Sequence, residues 1–138
     1  MATMHFEKNP YQRDLFGIPE EEINNKFPGW QEKAHYSITT TVIIQIDTTN
    51  VSQAEYNIAP NITFITTNTA IVNIYRTHSF TGSFPEFQAF YSSQEQSLQL
   101  EIEKLVNDLN TARAGAGKTG SWYVNYGLND RIIKVSKA

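Results

Sequence analysis

Residues 35–47 read HYSITTTVIIQID, and this stretch decides the fold. Tyr36, Ile38, Thr40, Val42, Ile44 and Ile46 fall on one side of a two-residue period. Ser37, Thr39, Thr41, Gln45 and Asp47 fall on the other, with Ile43 the exception. Successive strand side chains point to opposite faces, so this alternation predicts a strand buried on one face. At ~3.3 Å per residue such a strand runs about 40 Å, long for a small domain.

The surroundings of that strand are poor in charge. Between Ala34 and Gln94 only Asp47, Glu55, Arg76 and Glu86 carry one, and threonine is the main polar residue. Sheet edges are normally protected by charge or proline. A neutral, hydroxyl-rich sheet therefore points to a surface that meets another protein surface. The segments 61–67 and 69–80 predict two further strands, with Thr67-Asn68 as their turn, and 48–60 reads as a polar connection.

Beyond them, Phe80, Phe84, Phe87, Phe90 and Tyr91 surround Gly82 and Pro85. This segment reads as the crossing from sheet to helix, with its rings either plugging the seam or offering a stacking platform. A helix is predicted from Ser92 to about Ala114. Ser92 with Glu95, or Ser93 with Gln96, makes a capping box. Leu98, Ile102, Leu105, Leu109 and Ala112 form one apolar stripe flanked by Val106. Gly115 and Gly117 end the helix, Arg113 suits its negative end, and Leu100 lies opposite the stripe. Residues 121–126 and 131–136 predict a terminal hairpin, with Trp122, Val124 and Tyr126 on one face.

Residues 1–33 differ. Pro10, Pro19 and Pro28 interrupt regular structure, while Phe6, Tyr11, Phe16, Phe27 and Trp30 are spaced like anchors. Pro19 to Ile23 reads as a short helix start. The expected organisation is an extended N-terminal arm (1–33) and a single α+β domain (34–138). In that domain an antiparallel-rich sheet of about five strands packs against one long amphipathic helix.

Composition narrows the function. The 138 residues fit one domain. There is no cysteine, which excludes disulfides and thiolate metal sites and fits a cytoplasmic setting. No secretory leader is read, and no apolar run reaches the ~20 residues a membrane helix needs. The net charge of −3 argues against nucleic acid as a partner. Residues 1–34 hold four basic and six acidic residues, and 113–138 hold five basic and one acidic. These opposite signs leave room for end-to-end attraction between copies.

No catalytic, metal or cofactor set is legible. Gly115 to Ser121 resembles a phosphate loop, but position 112 is Ala112, not glycine, and the loop follows a helix instead of opening one. His35-Tyr36-Ser37 resembles half of the paired motif of two-histidine phosphoesterases; His78-Ser79-Phe80-Thr81 does not supply the second half.

Two functional expectations follow. The first is a non-enzymatic assembly protein forming a homo-oligomeric ring, tube or shell, alone or with other assembly proteins. Its contacts would include Phe6, Tyr11, Phe16, Trp30 and Leu100. The element order is similar to small tail or neck proteins of bacterial viruses, which implies assembly into a virion. The alternative is a nucleotide-like ligand module. It would use Phe84 and Phe87 of segment 80–91 for stacking, with phosphate contacts from Arg76, Arg113, Lys118 and Arg131.

Overall fold

The computed structural model describes the backbone of residues 3–5 and 33–137. The anchors Phe6, Tyr11, Phe16 and Trp30, and the helix start at Pro19, lie outside the described residues. The elements are β1 (Thr3–His5), β2 (Ala34–Ile46), α1 (Gln53–Ile58), β3 (Thr63–Thr66), β4 (Thr69–Gly82), α2 (Phe84–Gly115), β5 (Tyr123–Val124) and β6 (Asp130–Lys137), with a 3-10 turn at Tyr126–Leu128. The strand order is β1-β6-β2-β4-β3, with β5 also paired to β2. Five strands and one long helix make the α+β fold expected from the sequence; β1 adds a short sixth strand, parallel to β6.

The strand at 35–47 forms as predicted. Tyr36, Ile38, Thr40, Val42, Ile44 and Ile46 are all buried. The exception, Ile43, is buried as well, where β2 changes neighbours. The turn at Thr67-Asn68 is also in place, with Thr63 opposite Ile71 and Phe64 opposite Ala70.

Three local expectations need correction. The helix α2 begins at Phe84, eight residues before Ser92. Its capping box is Ser83–Glu86: the Glu86 amide donates to Ser83 Oγ (3.3 Å), and the Ser83 amide donates to Glu86 Oε1 (3.0 Å). Pro85 thus sits in the first turn, where its missing N–H costs nothing. The connection 48–60 contains α1, which has its own box at Ser52 and Glu55. The terminal hairpin does not form. β5 pairs antiparallel with β2 at Ile44–Val124 and Gln45–Tyr123, while β6 takes β1 and β2 as neighbours. Tyr126 accordingly does not share the buried side of Trp122 and is 57% exposed.

The chain divides into two compact units. Of the described residues, the first holds Thr41–Ile74 and Ser97–Asn129; the second holds residues 3–5, 33–40, Tyr75–Gln96 and 130–137. β2, β4 and α2 each contribute to both. The core of the first unit joins Val42, Ile44, Ile46, Val72 and Ile74 to Leu109 and Trp122, with Leu98, Ile102, Leu105 and Val106 packed against it. The predicted apolar stripe thus faces this core. The core of the second unit is aromatic: Tyr36, Phe84 and Phe87 with Ile38, Ile133 and Val135, flanked by Phe80, Phe90 and Tyr91.

Candidate interaction surfaces

In the first unit, polar side chains are spent on closing the fold. Glu55 is completely buried. Its Oε1 accepts from the Ser52 amide (3.0 Å) and hydroxyl (2.9 Å), and its Oε2 accepts from Trp122 Nε1 (2.6 Å). Arg113 Nη1 donates to both carboxylate oxygens (3.0 and 3.3 Å). The same guanidinium donates to Thr119 O (2.6 Å), Asn50 O (3.3 Å) and Thr48 Oγ1 (3.2 Å). One arginine therefore ties α1, the loop after β2 and the glycine loop to the end of α2. Burial is the largest single influence on the Glu55 carboxyl and pushes its pKa up. The hydrogen bonds from Ser52 and Trp122 and the Arg113 charge together outweigh it, so the pKa lies below the ordinary 4.5.

Two asparagines complete the backbone accounting. Asn110 Nδ2 donates to Trp122 O (3.1 Å), and the Trp122 amide donates to Asn110 Oδ1 (2.6 Å). Asn129 Oδ1 accepts from the Ile43 amide (3.0 Å), while the Asn125 amide donates to Ile43 O (2.9 Å). Ile43 is therefore satisfied without a ladder partner on that side.

The residues expected to bind a nucleotide do not gather on an open face. Arg113 is buried, with its donors engaged as described. Lys118 is exposed in the glycine loop of the same unit, where Gly117 and Gly120 take positive φ. Phe84 and Phe87 are core residues of the second unit, and Phe87 stacks on Tyr36 at 4.0 Å, so neither shows an open face to a base. Arg131 is buried beside Glu95, with Nε–Oε1 at 2.6 Å and Nη2–Oε2 at 3.1 Å. Arg76 is exposed and donates to Tyr75 O (3.2 Å). His35 and His78 fall on opposite sides of the strand period: His35 meets Thr81 Oγ1 (2.8 Å), and His78 meets the edge of Phe90 (6.4 Å). Among the described residues no group of three or more His, Cys, Asp or Glu could hold a metal.

Among the described residues two kinds of surface remain open. Ile58, Ile65, Leu100, Tyr126 and Leu128 of the first unit are large apolar side chains more than 40% exposed. Among the described residues of the second unit, β4 supplies Tyr75–Gly82 as the last strand of the order, because β3 accompanies β4 only along Thr69–Ile71. That eight-residue edge contains no proline and no acid, and Tyr75 on it is 61% exposed. Natural sheets usually shield such an edge. The shortage of charge is legible in the sequence and the edge is not, because strand order is not written in local pattern.

The chain matches no protein-family model, no curated protein and no solved structure. No helix among the described residues is long and apolar enough to cross a membrane.

Proposed function

We propose that this protein is a non-enzymatic assembly subunit whose copies join through the β4 edge Tyr75–Gly82. The observation that carries this reading is that edge itself: eight consecutive residues with no proline or acid, beyond the reach of β3. A second copy suits it. Antiparallel pairing about a two-fold axis between His78 and Ser79 sets Arg76 opposite Thr81, so no like charges face one another. Backbone groups on both edges would then be satisfied together.

Pairing of this kind closes after two copies. Growth to a ring, tube or shell needs a second contact, for which the exposed Ile65, Leu100, Tyr126 and Leu128 are the apolar candidates. A place in the tail or neck of a virion is the finer form of this reading.

The test is the solution mass of the full chain by sedimentation velocity at about 50 µM. A multiple of 15.7 kDa is expected. The double variant Tyr75→Lys, Thr77→Lys changes exposed positions, sets charge on both sides of the axis and should lower that mass by at least half. A wild-type chain of 15.7 kDa ends the reading. So does an oligomer that keeps its mass in the double variant.

A further inference from the structure

Residues 61–75 read NITFITTNTAIVNIY, the longest stretch of the chain without a charge, a glycine or a proline. Glu55 and Arg76 are the nearest charges, and Pro60 and Gly82 the nearest breakers. Most of these residues are β-branched, which favours extended backbone. The part that belongs to the first unit, 61–74, is the hairpin of β3 with the start of β4.

Two kinds of contact hold this hairpin, and they differ in reach. Its closure is local: Thr63 faces Ile71, Phe64 faces Ala70, and Asn61 Nδ2 donates to Asn73 O (3.4 Å). Its cover is distant: Ile62, Ala70, Val72 and Ile74 share one core with Leu109 of α2 and with Trp122. Local closure costs little chain entropy, whereas distant cover is lost in any opening that lifts α2 and Trp122 away. Such an opening leaves the segment extended and uncovered.

Neither face of the uncovered segment carries a charge. Identical segments of this kind stack as cross-β strands, each backbone group pairing with the copies above and below, and here no like charges oppose the stack. Proteins guard such segments with lysine or proline. Neither occurs in 61–74, and among the described residues no strand follows β3 in the order. Residues 36–46 of β2 are also free of formal charge, but β2 has strand neighbours on both sides. The hairpin at the end of the order is therefore the part that opens first.

We infer that residues 61–74 form a latent self-association segment, whose partner, once the first unit opens, is the same segment in further copies of this chain, stacked as cross-β. This contact is distinct from the β4 edge at Tyr75–Gly82. It requires opening, and its readout is fibre formation, not the solution mass of the folded chain. Either reading can fail without the other.

The test is agitation of the full chain about 10 °C below its own melting temperature, where local opening outweighs global unfolding, with thioflavin T as the probe. Fibres with a reflection at about 4.7–4.8 Å are expected. Mass spectrometry of their protease-resistant core should return 61–74. The double variant Thr67→Lys, Asn73→Lys places charge in the segment at two exposed positions. It should lengthen the lag about tenfold or more, because every stacked copy repeats the charge. Ser97→Lys, Thr111→Lys adds the same charge at exposed positions of α2 and should change the lag by less than about twofold. Each variant is held at the same interval below its own melting temperature, so a change in stability cannot imitate the effect. The inference is overturned if the wild type gives no fibres, or if the resistant core lies elsewhere, residues 36–46 included. It is equally overturned if the first double variant keeps the wild-type lag, or if the second slows fibre formation as much as the first.

Discussion

Arg113 and Arg131 are both buried, one in each compact unit, yet they face different carboxylates. The partner of Arg113, Glu55, is completely enclosed, and the pair is surrounded by further donors and acceptors from four segments. The partner of Arg131, Glu95, keeps 31% of its side chain in water. Enclosure makes a charge pair costly to form and far more costly to leave half-made. The first unit therefore depends on a complete polar network, whereas the second has a core of stacked rings and keeps the Arg131–Glu95 pair at the margin.

This contrast has measurable consequences, and the largest is expected in the first unit. Arg113→Met would leave Glu55 buried without its counter-charge and release the loops at Asn50 and Thr119. A loss of about 3–5 kcal/mol is expected, read by urea denaturation with Trp122 fluorescence in a Trp30→Phe background. A loss under about 1 kcal/mol would remove the distinction between the two units.

Acid should act through the same group. The folded pKa of Glu55 is depressed, so its stabilisation is present above the ordinary 4.5 and fades as pH falls through the folded value. Denaturation midpoints followed from pH 6 to pH 3 should therefore drop less steeply in Glu55→Gln than in the wild type. Equal slopes would mean that Glu55 does not drive the acid limb.

Arg131→Met should cost less, about 1–2 kcal/mol, because Glu95 can recover water when its partner is lost. The same denaturation experiment decides this. A cost matching that of Arg113→Met would show that exposure of the acid does not matter here.

The smallest effect concerns Tyr36, whose buried hydroxyl finds no hydrogen-bond partner among the described residues. Burial pushes its pKa up to about 12 from 10.0. The raised value means that the neutral ring stabilises the fold fully below pH 10 and that this contribution is lost as pH rises through the folded value. Tyr36→Phe should change stability at pH 7 by no more than about 1 kcal/mol, as a gain. It should also flatten thermal melting temperatures between pH 10 and 12. A marked loss at pH 7 would mean that the hydroxyl has a partner in solution.

Legibility in the sequence followed the range of the interactions. The β2 pattern, the Thr67-Asn68 turn and the stripe from Leu98 to Leu109 are set by neighbours a few residues away, and each was readable. The capping signal Ser83–Glu86 was equally local, but the phenylalanines around Pro85 masked it as a crossing segment. Glu55 could not be assigned, because its partners Arg113 and Trp122 are 58 and 67 positions away. Phe84 and Phe87 illustrate the same limit: composition marks them as aromatic, and only packing shows that their faces are covered.

By itself the sequence determined the class of fold, the long helix and the shortage of charge across the sheet, since periodicity and composition act within one element at a time. Only the tertiary structure decided which strands are neighbours, which arginines are enclosed and where, among the described residues, a strand edge has no neighbour. Strand order and burial arise from contacts between distant segments, and nothing in a short window of residues records which partner a hydrogen bond or a charge will meet.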